Sequence, residues 1–241
     1  MTDAFKGYRR RIRITPMQAP AGLTRIRVAM EDDFHGFSVT LAHNGATITE
    51  VRVDSFNAPW TTCPAAGDFL RERFTGLNLA EATGEEDQRQ HCTHMFDLAM
   101  HGISHSGLTA ETTYDITIED PSGDQPRRVQ IMRDDEVLLS WRLGAGPDAD
   151  GDMAAMNAWT RTLPEHLREA GTMLRRGVMV GQGRQYDLAA KVYAAEVGAG
   201  PVCYTQQPHR NQGAKRIPGT IRDFSARPDD LLANLDKPSD A

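Results

Sequence analysis

The residues best suited to chemistry crowd into one stretch, His91-Cys92-Thr93-His94-Met95-Phe96-Asp97-Leu98-Ala99-Met100-His101-Gly102-Ile103-Ser104-His105. Four of the chain's eight histidines lie in it. At about 100° per residue on a helix, His91, His94, Asp97, His101 and His105 share an arc of roughly 120°. Cys92, Phe96, Ala99, Met100 and Ile103 fall on the opposite side. The pattern describes a two-faced helix whose polar face carries imidazoles and one carboxylate. Imidazole titrates near neutral pH, and a neighbouring carboxylate holds its tautomer and stabilises its charged form. Such a face suits proton transfer or metal ligation. The bland alternative is a polar face in water. Against it, no Lys, Arg or Glu occurs between His91 and His105, whereas solvated helix faces usually carry Lys and Glu one turn apart.

Other segments carry candidate groups. Glu31-Asp32-Asp33-Phe34-His35 interrupts a strand pattern with three acids and an imidazole. It reads either as a polar turn or as a site in which Asp32 or Asp33 orients His35 or acts as a base. Asp97/His101 and His101/His105 are helical i, i+4 pairs that can chelate one ion, with His35, Asp32 or Cys63 as a further ligand. The residue after His101 is Gly102, so the zinc-peptidase pattern is absent. Cys63 falls near an expected helix N-terminus, where the dipole favours a thiolate; a small buried apolar group is the competing reading. Cys92 reads as core. Trp60 and Phe56 are candidates for either core or substrate wall. Gly181-Gln182-Gly183-Arg184 lacks the length and the Lys-Ser/Thr of a phosphate loop. No dinucleotide fingerprint follows a strand.

The elements that must position these groups can be read in order. A strand is expected over 8–14, with an exit loop from Pro16 to Gly22. Leu23 to Met30 alternates, with Ile26, Val28 and Met30 on one face. Phe37, Val39 and Leu41 resume the alternation after the acidic break. Asn44-Gly45 predicts a type I′ hairpin. The return strand, Thr47 to Val53, changes parity, which predicts a bulge near Thr49 or Glu50. A helix capped by Thr62, with Pro64 in its first turn, should end before Gly76. Thr83 to Gln88 reads as loop, and the histidine helix follows. Strands are expected over Tyr114–Glu119, Arg127–Met132 and Glu136–Leu143, with turns at Pro121-Ser122-Gly123 and Asp134-Asp135. Gly144 to Asp152 reads as a flexible acidic loop, Pro164 to Arg176 as a helix, and Asp187 to Val197 as ambiguous. A short helix is expected around Asp229 to Leu235. The sum is an α+β fold: two antiparallel β-meanders flanking a helical pair, with further helices at the C-terminal end. We expect a single domain over 1–241, with its core at about 8–205 and a polar extension over 206–241. The Gly144–Asp152 loop is the alternative boundary between two smaller units.

Composition bounds the partners. Hydrophobic content of 39% and charged content of 25% are ordinary for a globular chain. A net charge of −6 argues against a nucleic-acid surface. Arg9-Arg10-Arg11-Ile12-Arg13 is the one basic cluster, and it reads as a strand with solvated arginines. There is no long apolar run for a membrane span. Met1 to Arg11 shows no signal-peptide core, so a cytoplasmic location is expected. Three cysteines without a CxxC pair, Cys63, Cys92 and Cys203, suit a reducing compartment.

Arg10-Arg11-Ile12-Arg13, Glu31-Asp32-Asp33-Phe34-His35, Pro59-Trp60-Thr61-Thr62-Cys63-Pro64 and Cys92-Thr93-His94 with Asp97-Leu98-Ala99 resemble the signature blocks of a bacterial domain-of-unknown-function family. The resemblance covers about residues 8–205. It implies a bacterial protein encoded among genes of aromatic or lipid catabolism, and it assigns no activity. Asn57 departs from the family pattern, which has a basic residue near that position.

The acid–base inventory, without a nucleotide loop or a nucleophile elbow, suits eliminations, retro-aldol cleavages and isomerisations. The expected function is a cofactor-independent lyase acting on a small aromatic molecule, with release of an aldehyde such as formaldehyde as one candidate. His94, Asp97, His101, His35 and Asp32 are its expected catalytic residues, and Trp60, Phe56, Cys63 and His105 its substrate-binding residues. The alternatives are a metal-dependent hydrolase, with a divalent ion such as zinc held by the histidine helix, and a non-enzymatic ligand-binding module. The sequence sets no oligomeric state.

Overall fold

A computed structural model of the chain describes residues 5–84 and 86–235. Met1 to Ala4, Glu85 and the chain from 236 on lie outside the described residues, as do the parts of the N-terminal and 83–88 expectations that fall on them. The contacts divide the chain into two compact units. One comprises Ile12–Thr112 and Ala189–Arg222; the other comprises Met1–Arg11, Thr113–Leu188 and Asp223–Ala241.

The first unit holds β2 (Thr24–Asp32), β3 (Gly36–His43), β4 (Ile48–Asn57), α1 (Cys63–Phe74), α2 (Leu79–Gly84), α3 (Thr93–Ser104) and α6 (Pro208–Asn211). Its strand order is β4-β3-β2-β1, the last being the Ile12–Met17 part of β1 (Gly7–Met17). The alternation read in the sequence becomes cross-strand pairs: Ile26 faces Leu41, Val28 faces Val39 and Met30 faces Phe37. All six side chains are buried. α3 packs on β2 and β3 over this surface, and α1 packs on β4. Gly102 makes the α3 contact close: a Cβ there would stand 3.0 Å from a Leu41 methyl and 3.4 Å from Ile26.

Both irregularities of β4 matter. Ala42 pairs with Glu50 and His43 with Ile48, so Thr49 is the extra residue, where a bulge is expected. A second shift, between Gly36/Asn57 and Phe37/Ser55, leaves Phe56 out of register. The Asn44-Gly45 turn differs from expectation. It is a four-residue loop in which only Gly45 has positive φ, at +89°, and the Asn44 carboxamide accepts from the Ala46 and Thr47 amides. The side chain supplies the closure that a left-handed backbone would give in a two-residue turn. β2 runs two residues further than its alternation, through Glu31 to Asp32.

The second unit holds the Gly7–Arg11 part of β1, then β5 (Thr112–Glu119), β6 (Arg127–Arg133), β7 (Glu136–Leu143), α4 (Met153–Thr162) and α5 (Glu165–Gly181). Its strand order is β1-β5-β6-β7. Asp134 and Asp135, at φ +49° and +68°, form the two-residue left-handed hairpin turn. The basic cluster is paired rather than solvated. Arg11 makes a two-pronged contact with Asp115, and Arg10 is buried beside Tyr8. The Gly144–Asp152 stretch folds back on β7, with Asp150 bonding Arg142 and Gly151 receiving the Trp141 indole. Asp152 then caps α4, a helix at the end of a stretch that reads as an acidic loop in the sequence. α5 outruns its expected end at Arg176 and continues to Gly181, with Gly177 packed close against Ile116. Residues 206–235, expected as a polar extension, instead contribute buried Gln206, Gln207, Ala214, Thr220, Phe224, Leu231 and Leu232. Asp187–Val197 resolves into a 3-10 turn at Ala194–Val197, and the segment after Arg227 into another at Pro228–Asp230.

The α+β assignment, the two antiparallel meanders and the helices towards the C-terminal end are therefore present. Among the described residues no helix is long and apolar enough to cross a membrane.

Gly102→Val should lower the unfolding free energy by about 1–3 kcal/mol, the cost of overpacking a filled interface, read as a reduced urea midpoint at unchanged slope. An unchanged midpoint would mean that α3 is not seated on Ile26 and Leu41.

Candidate functional site

The acidic break is a four-residue turn closed by its own carboxylate. The Asp32 amide donates to the His35 carbonyl at 2.8 Å. Asp32 Oδ1 accepts from the Phe34 and His35 amides, both at 2.8 Å, and lies 3.2 Å from His35 Nδ1. Asp32 and Asp33 are completely buried, while His35 is partly exposed. A carboxylate is tolerated there because donors surround it. Glu31 is held by Arg222, whose amide also donates to the Asp33 carbonyl at 2.7 Å and whose guanidinium reaches the Asp32 carbonyl. Both readings of this segment thus coexist in one turn: its backbone needs the aspartate, and the aspartate holds an imidazole.

α3 brings the second imidazole. Its axis follows β3, with His94 near Phe37 at a 6.1 Å ring separation and Gly102 over Leu41. His94 therefore stands over the turn at the start of β3, its ring 4.1 Å from that of His35 at 33°. One donor atom each from Asp32, His35 and His94 lie within 4.8 Å of one another. The expected proximity of the acidic break and the histidine helix is met through this pair.

The rest of the histidine face divides. α3 starts at Thr93, so His91 is outside the helix and off the polar arc. His91 is fully buried among Phe69, Phe74 and Phe96, with ring separations of 5.0, 5.6 and 5.3 Å. Its Nε2 lies 2.9 Å from Glu86, and Nδ1 has no hydrogen-bond partner among the described residues. Burial pulls its pKa down, opposed by Glu86. Asp97 accepts from the Gln88 carboxamide at 2.8 Å. His101 is buried, and lies about 10 Å further along the helix axis than His94. His105 ends the helix, with its amide on the His101 carbonyl. The apolar side is also rotated from expectation. Met95 and Leu98 are buried with Phe96 and Ala99, whereas Met100 and Ile103 are half-buried.

Of the expected substrate-binding residues, Phe56 lies beside the cluster. Its bulge sets the ring against Gly36, the neighbour of His35, where a Cβ would meet the ring at 2.5 Å. Phe56 keeps 43% of its surface exposed. Trp60 is buried under the Arg216 guanidinium at 4.0 Å. Cys63 opens α1 as expected, but Thr62 caps nothing with its side chain and instead bonds Thr205. The Cys63 thiol lies 3.7 Å from Thr205 Oγ1, and burial pushes its pKa up to about 11, the reverse of the thiolate expected at a helix N-terminus. All three cysteines are free thiols. Trp60 and Cys63 thus contact residues 205–216, and the compact cluster is Asp32, His35 and His94. Arg222, one of several arginines in a polar stretch and 191 residues from Glu31, gives no local signal in the sequence.

No protein-family model matches the chain, and no curated protein matches it.

Because the folded pKa of His91 is lowered, the unfolded chain binds the proton more readily, and stability falls as pH drops below the ordinary value of 6.5. The stability advantage of the native protein over His91→Gln should therefore shrink from about pH 7.5 to pH 5, as read by urea midpoints. A constant difference would show that His91 does not titrate against the fold.

Proposed function

We propose that this chain is an enzyme, a lyase that cleaves a small aromatic molecule bearing a hydroxymethyl group by proton transfer at Asp32, His35 and His94. The observation that carries the reading is the stacked His35/His94 pair with a buried carboxylate on His35 Nδ1. Asp32 holds His35 Nδ1, which leaves the other ring nitrogen to accept the substrate's hydroxyl proton. His94 protonates the ring carbon that bears the hydroxymethyl group; as the hydroxyl proton passes to His35 the carbon–carbon bond breaks, its electron pair restores the aromatic ring, and formaldehyde leaves. The exposed ring of Phe56 beside Gly36 offers an aromatic face for the substrate. The aromatic substrate class also draws on the family resemblance. Free thiols throughout the chain fit a cytoplasmic setting.

The test is a panel of hydroxymethyl-substituted aromatic compounds, with trapping of released aldehyde. His94→Ala should lower the rate by about 100-fold or more, the scale of a lost general acid. Its urea midpoint should stay close to that of the native protein, because the imidazole is partly exposed and Ala favours helix. No aldehyde from any compound, or a full rate in the variant, would end the lyase reading.

A further inference from the structure

We propose that Asp32, His35 and His94 bind one divalent transition-metal ion of the zinc or cobalt kind. The inference rests on the lyase reading's placement of the functional centre at this cluster, and goes beyond it in making His35 and His94 ligands in place of base and acid. Three features carry it. The donor set is two imidazoles and one carboxylate, each able to offer an atom within 4.8 Å of the other two. An ion about 2.0–2.2 Å from each donor needs donor–donor spacings of about 3.3 Å in tetrahedral geometry, and the Asp32–His35 pair already stands at 3.2 Å. The carboxylate is wholly buried and faces two imidazoles, so a cation there meets a negative charge withdrawn from solvent.

The supporting frame is also in place. Asp32 is fixed by two backbone amides, and the turn carrying it is tied to Arg222. His94 is fixed by the seat of α3 on β2 and β3. Ligands held in this way lose little freedom when an ion arrives. Two nitrogen donors select a borderline transition ion over magnesium or calcium, which take oxygen sets. Three protein ligands are the number found in catalytic rather than structural zinc sites. A cation so placed would polarise the same substrate hydroxyl that metal-free chemistry leaves to His35.

The experiment uses the full chain, stripped with a chelator and dialysed, then titrated with Co2+ by visible absorption and with Zn2+ by calorimetry. We expect one ion per chain. His94→Ala and Asp32→Asn should each weaken binding by more than about 100-fold, since a lost ligand costs more than the 10–100-fold of a lost supporting partner. Asp32→Asn keeps an oxygen to accept the turn amides, and His94→Ala alters no contact of that turn. One of them therefore reports even if the other folds poorly by circular dichroism. His101→Ala should bind as the native protein does. Absence of saturable binding, or unchanged affinity in both ligand variants, overturns the site. Cobalt binding with these properties but no aldehyde from the panel keeps the metal site and removes the lyase. Aldehyde release without saturable binding does the reverse.

Discussion

Everything at this site depends on one buried carboxylate. Asp32 is fully withdrawn from solvent at the end of β2, a position that costs several kcal/mol for an unpaired ion. Two amides from its own turn meet that cost in part, at about 1.5–3 kcal/mol for each hydrogen bond to a charged group. The same oxygen then holds His35 Nδ1. Removing the carboxylate would open the turn and release the imidazole together. Chain reversal and imidazole placement are therefore one interaction, and β3 starts where it does because of it.

A second constraint acts through helix packing. α3 must lie along β3 for its buried residues to cover Ile26, Val28 and Leu41, and Gly102 lets it approach. Once that contact is set, rise per residue decides which imidazole reaches the turn. His94 does, and His101 is carried about 10 Å away. His91, outside the helix, enters an aromatic box where its charge is disfavoured. One residue type thus meets three environments within a single stretch. Helical phase alone assigned these residues to one face, because it contains no information about where the helix begins.

What local pattern determines was legible. The paired alternation of β2 and β3, the bulge at Thr49, Pro64 in the first turn of α1 and the two meanders all follow from side-chain periodicity and backbone chemistry. His35 meeting His94 was legible only as an expectation of proximity. Other features depend on side-chain contacts that periodicity does not encode. Asn44-Gly45 carries the stronger left-handed signal, yet Asp134-Asp135 takes the left-handed turn. At Asn44 a side-chain acceptor competes successfully with the backbone alternative. Arg222 and Thr205 are polar residues in an unpatterned segment, and their roles come from Glu31 and from Thr62 and Cys63 far earlier in the chain. No periodicity encodes such contacts.

The late segment is also what separates the two cysteine-bearing and histidine-bearing neighbourhoods chemically. Thr205 bonds Thr62 and touches Cys63, and the Tyr204 amide bonds the His91 carbonyl just before Cys92. This covers the thiols, and burial then raises Cys63, Cys92 and Cys203 above the ordinary thiol range. A thiol held protonated is a poor nucleophile and a poor ligand at neutral pH. Arg222, further along the same segment, does the opposite for the acidic turn by placing a guanidinium on Glu31 and tying down Asp33 through the backbone. One stretch of chain thus suppresses one set of reactive groups and braces another. That division, rather than the count of histidines, leaves Asp32, His35 and His94 as the braced cluster of groups able to do chemistry.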